Sequence, residues 1–341
     1  MSSTRRAGAL RRGRWGIGSV VIGLLLGACH PALGDADQTA LLWPDGAPGA
    51  RGNLEADRPR LYYFLPPPEL RNGTAVVVAS GGSYGHHGGL SSEGVRTAKW
   101  LVSQGITAVV VRYRVHGPRR YGGLDFLADG KRAVRTVRAR AEELGIDPER
   151  IGMMGFSAGG HLASNVGIRC AEDQGRADAA DPIERQSCRI AFSVLIYPVI
   201  TLDDRYAHRR SRRNMLGGTV PRTDALRREL STELQVTPTT APSFLVHSHR
   251  DHKVPDHNSV LYHEALVRNG VPSELWLFED GGHGVGVADD PERMPQMSTW
   301  PQRCLDWMQR IGVLEPRGAG EAVESSGADG STAVAPPVAP P

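Results

Sequence analysis

The sequence predicts an α/β fold with a mostly parallel central sheet and helices on both of its faces. Short apolar runs rich in β-branched residues alternate with segments in which apolar residues recur at helical spacing. Most of the apolar runs are bounded by glycine or proline, which is typical of strands buried in a sheet. Strands that alternate with helices are joined by βαβ crossovers, and these crossovers produce parallel strands.

The predicted elements follow an extended lead-in and begin at residue 61. Strands are predicted at 61–65, 74–79, 106–113, 151–155, 190–196, 243–247 and 274–278. Helices are predicted at 93–104, 127–144, 158–168, 259–269 and 295–311. The segment 201–240 is rich in arginine and has no strand pattern. It is therefore predicted to be an insertion, or a lid over the carboxyl edge of the sheet.

Glycine marks the ends of the first two predicted helices. The helix at 93–104 carries its apolar residues on one face and ends before Gly105. The helix at 127–144 has the same spacing and ends before Gly145, after which an Asp-Pro pair leads into the next strand.

One domain, residues 38–314, is predicted between two terminal segments of different composition. Residues 1–28 combine an arginine-rich start with an apolar stretch too short to span a bilayer, which predicts an export signal of the lipoprotein type. Small residues before Cys29 resemble the bacterial lipoprotein processing box, so lipidation of Cys29 in the cell envelope, on the periplasmic side, is expected. An ordinary cleaved signal and an uncleaved anchor are the alternatives. Residues 315–341 lack hydrophobic periodicity and are predicted to be a disordered tail rich in Pro, Gly and Ala.

Composition argues against several kinds of partner. The formal net charge is +3 and the basic residues form no long stripe, so no nucleic-acid partner is expected. The chain has 4 cysteines, and their spacing is not that of metal ligands. If Cys29 is lipidated, Cys170 and Cys188 could be bridged in an oxidising compartment, and at least one thiol stays free. The sequence leaves this pairing open.

The segment Gly155-Phe-Ser-Ala-Gly159 has the pattern Gly-x-Ser-x-Gly between a predicted strand and a predicted helix. This is the context of a nucleophile elbow, in which a serine occupies a sharp strand-to-helix turn. The glycines leave room for close neighbours, and the N-terminus of the new helix favours negative charge. Ser157 is therefore the predicted nucleophile, and a plain glycine-rich turn is the alternative.

A serine hydroxyl needs a histidine base that is oriented by a carboxylate, and in this architecture the order along the chain is serine, acid, histidine. His283 lies in a glycine-rich loop between the last predicted strand and the last predicted helix, and it is the predicted base. Asp251 follows the strand 243–247 and is the predicted acid. Asp256 is the alternative acid, although an N-cap role suits its position before a helix better.

A second glycine-rich loop, residues 79–88, directly follows the strand 74–79. A phosphate-binding loop would end in Gly-Lys-Ser/Thr, which this loop lacks, and its histidines at 86 and 87 have no third ligand at a suitable spacing. In this architecture the loop supplies N–H groups opposite the one that follows the nucleophile. The predicted oxyanion donors are the N–H groups of Gly82, Ser83 and Ala158.

Several histidines lie close together after the strand 243–247. Clustered loop histidines are more often solvated or hydrogen-bonded to the backbone than bound to a metal ion. A metal site is therefore not expected, and no other cofactor is expected because serine-esterase chemistry uses only side chains and backbone. The group consists of His247, His249, His252 and His257.

The sequence resembles an α/β-hydrolase of the carbohydrate-esterase type, a family that includes bifunctional feruloyl and acetyl-xylan esterases. The resemblance implies a serine esterase in which Ser157, Asp251 and His283 form the catalytic triad. It also implies that the substrate is an acetylated carbohydrate or another small ester. The matching segments run through the domain in order and include Gly81-Gly-Ser-Tyr84, Gly155-Phe-Ser-Ala-Gly-Gly-His-Leu-Ala163, Asp251-His-Lys-Val-Pro255 and Gly281-Gly-His-Gly284.

Two other functions are compatible with this scaffold. A serine peptidase or amidase of the prolyl-oligopeptidase type has the same order of triad residues, but it normally carries a β-propeller ahead of the hydrolase domain. The segment between Cys29 and the strand 74–79 is too short for a propeller. A non-catalytic binding protein is the second alternative, and a complete set of Ser157, Asp251 and His283 argues against it.

Overall fold

The computed structural model describes residues 35–217 and 223–315. Within these ranges the chain forms one eight-stranded sheet and eight α-helices. The predicted export signal with Cys29, and the predicted tail beyond residue 315, lie outside the described residues.

Strands and helices alternate through most of the described chain. The strands are β1 (Gln38–Leu41), β2 (Arg60–Phe64), β3 (Ala75–Ala79), β4 (Thr107–Arg112), β5 (Ile151–Phe156), β6 (Ser193–Ile196), β7 (Ser243–Ser248) and β8 (Ser273–Phe278). The α-helices are α1 (Arg96–Ser103), α2 (Gly123–Ala139), α3 (Ala141–Leu144), α4 (Ala158–Arg169), α5 (Arg209–Leu216), α6 (Asp224–Leu230), α7 (His257–Arg268) and α8 (Trp300–Arg310).

The strands are arranged in the order β1-β2-β4-β3-β5-β6-β7-β8. The β1–β2 and β2–β4 pairs are antiparallel, and all the other neighbouring strands are parallel. Every residue of β3 and β5, at the centre of the sheet, is buried. Strands that are buried on both faces read as continuous apolar runs, which is why they were recognisable in the sequence.

Helices cover both faces of the sheet. One apolar cluster contains Val134 of α2, Leu162 of α4 and Leu266 of α7. The cluster on the opposite face contains Leu101 of α1 and Trp300 of α8. The mostly parallel α/β architecture predicted from the sequence is therefore confirmed. The loops after β3, β5, β7 and β8 meet at the carboxyl edge of the sheet, where such folds bind ligands.

Several elements differ from the prediction, among them the helix predicted at 127–144, which is divided into α2 and α3, and two further differences have identifiable reasons. The last helix begins at Trp300 rather than at residue 295, because Pro301 in a helix interior would clash with the preceding turn. The carboxylate of Asp280 instead accepts the N–H groups of Gln296 and Met297. The sequence pattern also does not predict β1, whose four residues are held by antiparallel pairing with β2.

The arginine-rich segment 201–240 contains α5 and α6 and, in the part that the structure describes, no strand. Asn214 of α5 donates from Nδ2 to the carbonyl oxygen of Ser83 at 2.8 Å. Because Ser83 follows β3, this contact puts α5 against the carboxyl edge of the sheet, as predicted for an insertion over that edge.

Cys170 and Cys188 form a disulfide bond, which answers the question that the sequence left open. The bond joins the end of α4 to the segment that leads into β6. Cys304 is a buried free thiol, and burial raises its pKa. No helix within the described ranges combines the length and apolar character needed to cross a membrane.

Candidate active site

Ser157 occupies the turn between β5 and α4. Its φ of 53° is unusual for a residue other than glycine, and such backbone strain costs about 1–3 kcal/mol. The flanking positions admit only glycine, because a Cβ at Gly155 would lie 2.1 Å from the oxygen of Gly159 and one at Gly159 would lie 2.0 Å from the oxygen of Ala79. The Ser157 N–H donates to the carbonyl oxygen of Ile196 at 3.0 Å, which helps to hold the strained turn.

His283, in the loop after β8, contacts both Ser157 and Asp251. Its Nε2 atom lies 2.9 Å from the Oγ atom of Ser157, and its Nδ1 atom lies 2.6 Å from the Oδ2 atom of Asp251. When Nδ1 carries the hydrogen and donates it to the carboxylate, Nε2 is left as an acceptor for the serine proton. The structure thus brings together a hydroxyl, an imidazole and a carboxylate that are far apart in the sequence, in the geometry of an activated nucleophile.

Asp251 lies in the loop after β7 with its carboxylate fully buried. Its Oδ1 atom accepts the N–H groups of Lys253 and Val254 at 2.8 and 2.9 Å. Burial raises the pKa of this carboxyl, but the hydrogen bonds from His247 and His283 outweigh burial and hold the pKa well below its usual range. Asp251 is therefore ionised at neutral pH.

Asp256, the alternative acid, has different partners. Its two carboxylate oxygens lie 2.5 Å from the Nδ1 atom of His249 and 3.0 Å from the Nδ1 atom of His257. Both histidines are more than a third exposed, so this cluster lies at the surface. The geometry favours Asp251 over Asp256 as the partner of His283.

His247 contributes to the site in a way that the sequence does not predict. It is completely buried in β7, and its Nε2 atom lies 3.0 Å from the carbonyl oxygen of Val254 and 3.3 Å from the Oδ2 atom of Asp251. Its Nδ1 atom forms a hydrogen bond of 2.8 Å with the hydroxyl of Ser259. The feature of the sequence that could have indicated this role is the position of His247 inside an apolar strand, because a buried polar side chain needs hydrogen-bond partners. No cluster of three possible metal ligands occurs among residues 35–217 and 223–315.

The loop after β3 lies directly against the nucleophile. A Cβ at Gly81 would lie 3.0 Å from the Cβ atom of Ser157. The next residues, Gly82 and Ser83, have φ values of 137° and 56°. Within the described chain no backbone carbonyl accepts a hydrogen bond from the N–H groups of Gly82, Ser83 or Ala158. These three donors are available to a substrate oxygen, and their role in an oxyanion hole remains a prediction.

Side chains from three other elements hold this loop in place. The hydroxyl of Tyr113 donates to the carbonyl oxygen of Ser80 at 2.8 Å, and Asn214 donates to that of Ser83. The third contact joins the hydroxyl of Tyr84 to the Nδ1 atom of His161 in α4 at 2.9 Å. None of these contacts is predicted from the sequence.

The Tyr84 contact depends on a neutral histidine. The Nε2 atom of His161 lies 2.7 Å from the carbonyl oxygen of Leu230, so Nε2 carries the hydrogen and Nδ1 accepts the tyrosine O–H. Burial lowers the pKa of His161 to about 4, which is consistent with a neutral ring. His161 is therefore part of the support of the loop and not a candidate base.

Residues 61–266 match the family model described as BD-FAE. The matched range contains Ser157 and Asp251 and ends before His283. The chain is 34% identical over 238 residues to an acetylxylan esterase of Xylanibacter ruminicola, covering 69% of this chain and 45% of the relative. It is 31% identical over 236 residues to endo-1,4-beta-xylanase B of Butyrivibrio fibrisolvens, covering 68% of this chain and 35% of the relative. The aligned part is thus less than half the length of these two curated relatives.

Among solved structures, the chain resembles an acetyl ester-xyloside bifunctional hydrolase from Caldicellulosiruptor lactoaceticus. The TM-score is 0.72 and the sequence identity 38%, and the match covers 81% of this chain and 97% of the other. The similarity therefore extends over nearly the whole of that neighbour.

Proposed function

The chain belongs to the BD-FAE family and has the α/β-hydrolase fold, and we propose that it is a serine carboxylesterase that removes acetyl-type groups from carbohydrate. The observation that carries the proposal is the hydrogen-bonded chain from Ser157 through His283 to Asp251, with distances of 2.9 and 2.6 Å. Beside these contacts lie the backbone N–H groups of Gly82, Ser83 and Ala158, which donate to no backbone carbonyl of the described chain.

In the proposed reaction, the Oγ atom of Ser157 attacks the ester carbonyl while Nε2 of His283 takes the hydroxyl proton. The carboxylate of Asp251 stabilises the imidazolium that forms. The N–H groups of Gly82, Ser83 and Ala158 donate to the negatively charged oxygen of the tetrahedral intermediate. His283 then protonates the departing sugar oxygen as the carbon–oxygen bond breaks. A water molecule, activated by the same histidine, releases acetate and restores the serine.

The comparisons support an acetyl ester as the substrate. One relative is named an acetylxylan esterase, and the structural neighbour is named an acetyl ester-xyloside bifunctional hydrolase. The chain spans only part of the curated relatives, so the xylan assignment is a proposal about this chain and is tested directly. The substrates below distinguish the esterase from the peptidase and the binding-protein alternatives.

We expect the purified protein to release acetate from acetylated xylan and to hydrolyse p-nitrophenyl acetate, but not a proline-peptide amide. Acetate can be measured enzymatically, with alkali-deacetylated xylan as the matched control. Hydrolysis of p-nitrophenyl acetate without acetate release from the polymer would reject the xylan assignment and leave the serine mechanism in place. Cleavage of the amide at a comparable rate would favour the peptidase alternative.

We also propose that the protein is exported and carries a lipid at Cys29. The disulfide between Cys170 and Cys188 supports an oxidising compartment, because disulfides persist there and are rare in the cytosol. In a bacterial host that processes lipoproteins, the full chain is expected in the detergent phase of a Triton X-114 partition and to incorporate labelled palmitate, whereas Cys29→Ser is expected to incorporate none. Cys304→Ala, which keeps Cys29, serves as the control. Full-length protein in the aqueous phase would contradict the lipid anchor.

A further inference from the structure

Glu93 is a buried carboxylate to which the proposed mechanism assigns no role. It lies in a π-helical turn, Leu90–Val95, just ahead of α1, and only 5% of the residue is exposed. Burial raises the pKa of its carboxyl, while hydrogen bonds from Gly81 and Tyr197 act in the opposite direction. The charges of His283 and Lys253 act on this carboxyl more weakly than the two hydrogen bonds do. A buried acid of this kind is costly to keep, and π-helical turns often occur at functional sites.

Both oxygens of Glu93 accept hydrogen bonds from the active site. The Oε2 atom accepts the N–H of Gly81 at 2.6 Å, and the Oε1 atom accepts the hydroxyl of Tyr197 at 3.0 Å. The hydroxyl oxygen of Tyr197 in turn accepts the N–H of Gly286 at 2.9 Å. Glu93 and Tyr197 therefore connect the loop after β3 (residues 79–88), termed the oxyanion loop, to the loop after β8 that carries His283.

The surrounding backbone is shaped around this connection. A Cβ at Gly89 would lie 2.1 Å from the Oε2 atom of Glu93, so a side chain there would displace the carboxylate. Tyr197 has a φ of 36°, a strained value of the kind that concentrates at functional sites. The centre of its ring lies 4.9 Å from that of His283, so the tyrosine also packs directly against the base.

We propose that Glu93 and Tyr197 are positioning residues that fix the oxyanion loop and His283 relative to each other, in the arrangement that the transition state requires. This inference rests on the proposed function. Gly81 immediately precedes Gly82, a predicted oxyanion donor, so the bond from Gly81 to Glu93 limits rotation of the neighbouring peptide group. The Gly286 bond to Tyr197 limits movement of the histidine loop from the other side. Both restraints act on groups that matter most once negative charge has developed on the substrate.

The test compares Glu93→Gln and Tyr197→Phe with the wild type, with Glu233→Gln as the matched control. Glu233 is a half-buried glutamate whose pKa is likewise raised by burial, but it lies in the turn Thr232–Leu234 and interacts with Thr201 and Asp203 rather than with the active site. The first readout is the rate at which a fluorophosphonate labels Ser157, followed by intact mass. In this reaction the serine oxygen bonds to phosphorus, fluoride leaves, and His283 takes the serine proton.

We expect the labelling rate and the kcat for p-nitrophenyl acetate to fall by about 10- to 100-fold in each active-site variant, because small displacements of catalytic groups have effects of that size. KM is expected to stay within about 2-fold, and the control variant to match the wild type. The double variant should be little worse than either single variant, since both changes break the same connection.

Each other outcome is informative. A rise in KM as large as the fall in kcat would mean that Glu93 and Tyr197 have only a structural role, and it would overturn the inference. A lowered thermal midpoint with an unchanged labelling rate would do so as well. If the fluorophosphonate labelled both variants as fast as the wild type, the inference would also be overturned, but the serine mechanism would stand. A wild-type protein that the fluorophosphonate does not label would instead reject the proposed function itself.

Discussion

Ser157→Ala is expected to lower kcat on p-nitrophenyl acetate and on acetylated xylan by about 10⁴- to 10⁶-fold, the range seen when a serine hydrolase loses its nucleophile. The hydroxyl oxygen is the atom that bonds to the substrate carbon, and neither His283 nor a nearby backbone group can replace it. Any activity above the uncatalysed rate should come from the N–H groups near the site, which can still stabilise the oxyanion formed when water attacks the ester.

The control for this change is Ser164→Ala, which removes a buried hydroxyl two turns further along α4. The Ser164 hydroxyl donates to the carbonyl oxygen of His161 and to the hydroxyl of Thr232, and neither partner belongs to the triad. We expect its kcat to stay within about 3-fold of the wild type. Thermal unfolding of both variants should show that each is folded. If Ser157→Ala kept a tenth of the activity or more, Ser157 would not be the nucleophile.

Asp251→Asn is expected to lower kcat by about 10⁴-fold at neutral pH, with a much smaller effect on KM. The carboxylate accepts the Nδ1 hydrogen of His283 at 2.6 Å and so leaves Nε2 facing Ser157. An asparagine side chain can instead present its amide N–H groups to Nδ1 and favour the opposite tautomer. It also removes the negative charge that stabilises the imidazolium after proton transfer.

Asp256→Asn is the matched comparison, because Asp256 is five residues away and also bonds to histidines. Its partners are His249 and His257, and the cluster is exposed to solvent. Loss of this carboxylate should therefore change kcat by less than about 3-fold, as measured by initial rates on p-nitrophenyl acetate. A large loss in Asp256→Asn with little effect of Asp251→Asn would reverse the assignment of the acid.

The triad candidates could be predicted from the sequence because each of them has a local signal. Ser157 is marked by glycines between a strand and a helix, and His283 lies in a glycine-rich loop after the last apolar strand. The order of the elements then limits the acid to the loop after β7. Within that loop the sequence leaves Asp251 and Asp256 as alternatives, because both are short carboxylates close to histidines.

The sequence by itself determined the alternation of strands and helices, since buried strands read as continuous apolar runs and helices show a regular spacing of apolar residues. Only the tertiary structure decided that His247 supports Asp251, that Cys170 bonds to Cys188, and that Glu93 accepts hydrogen bonds from two loops. The physical reason is that these contacts depend on how a loop folds back, as between His247 and Asp251 four residues further on, or join distant parts of the chain, as between Glu93 and Tyr197. Neither property leaves a periodic pattern, so such contacts exist only once the loops meet at the carboxyl edge of the sheet.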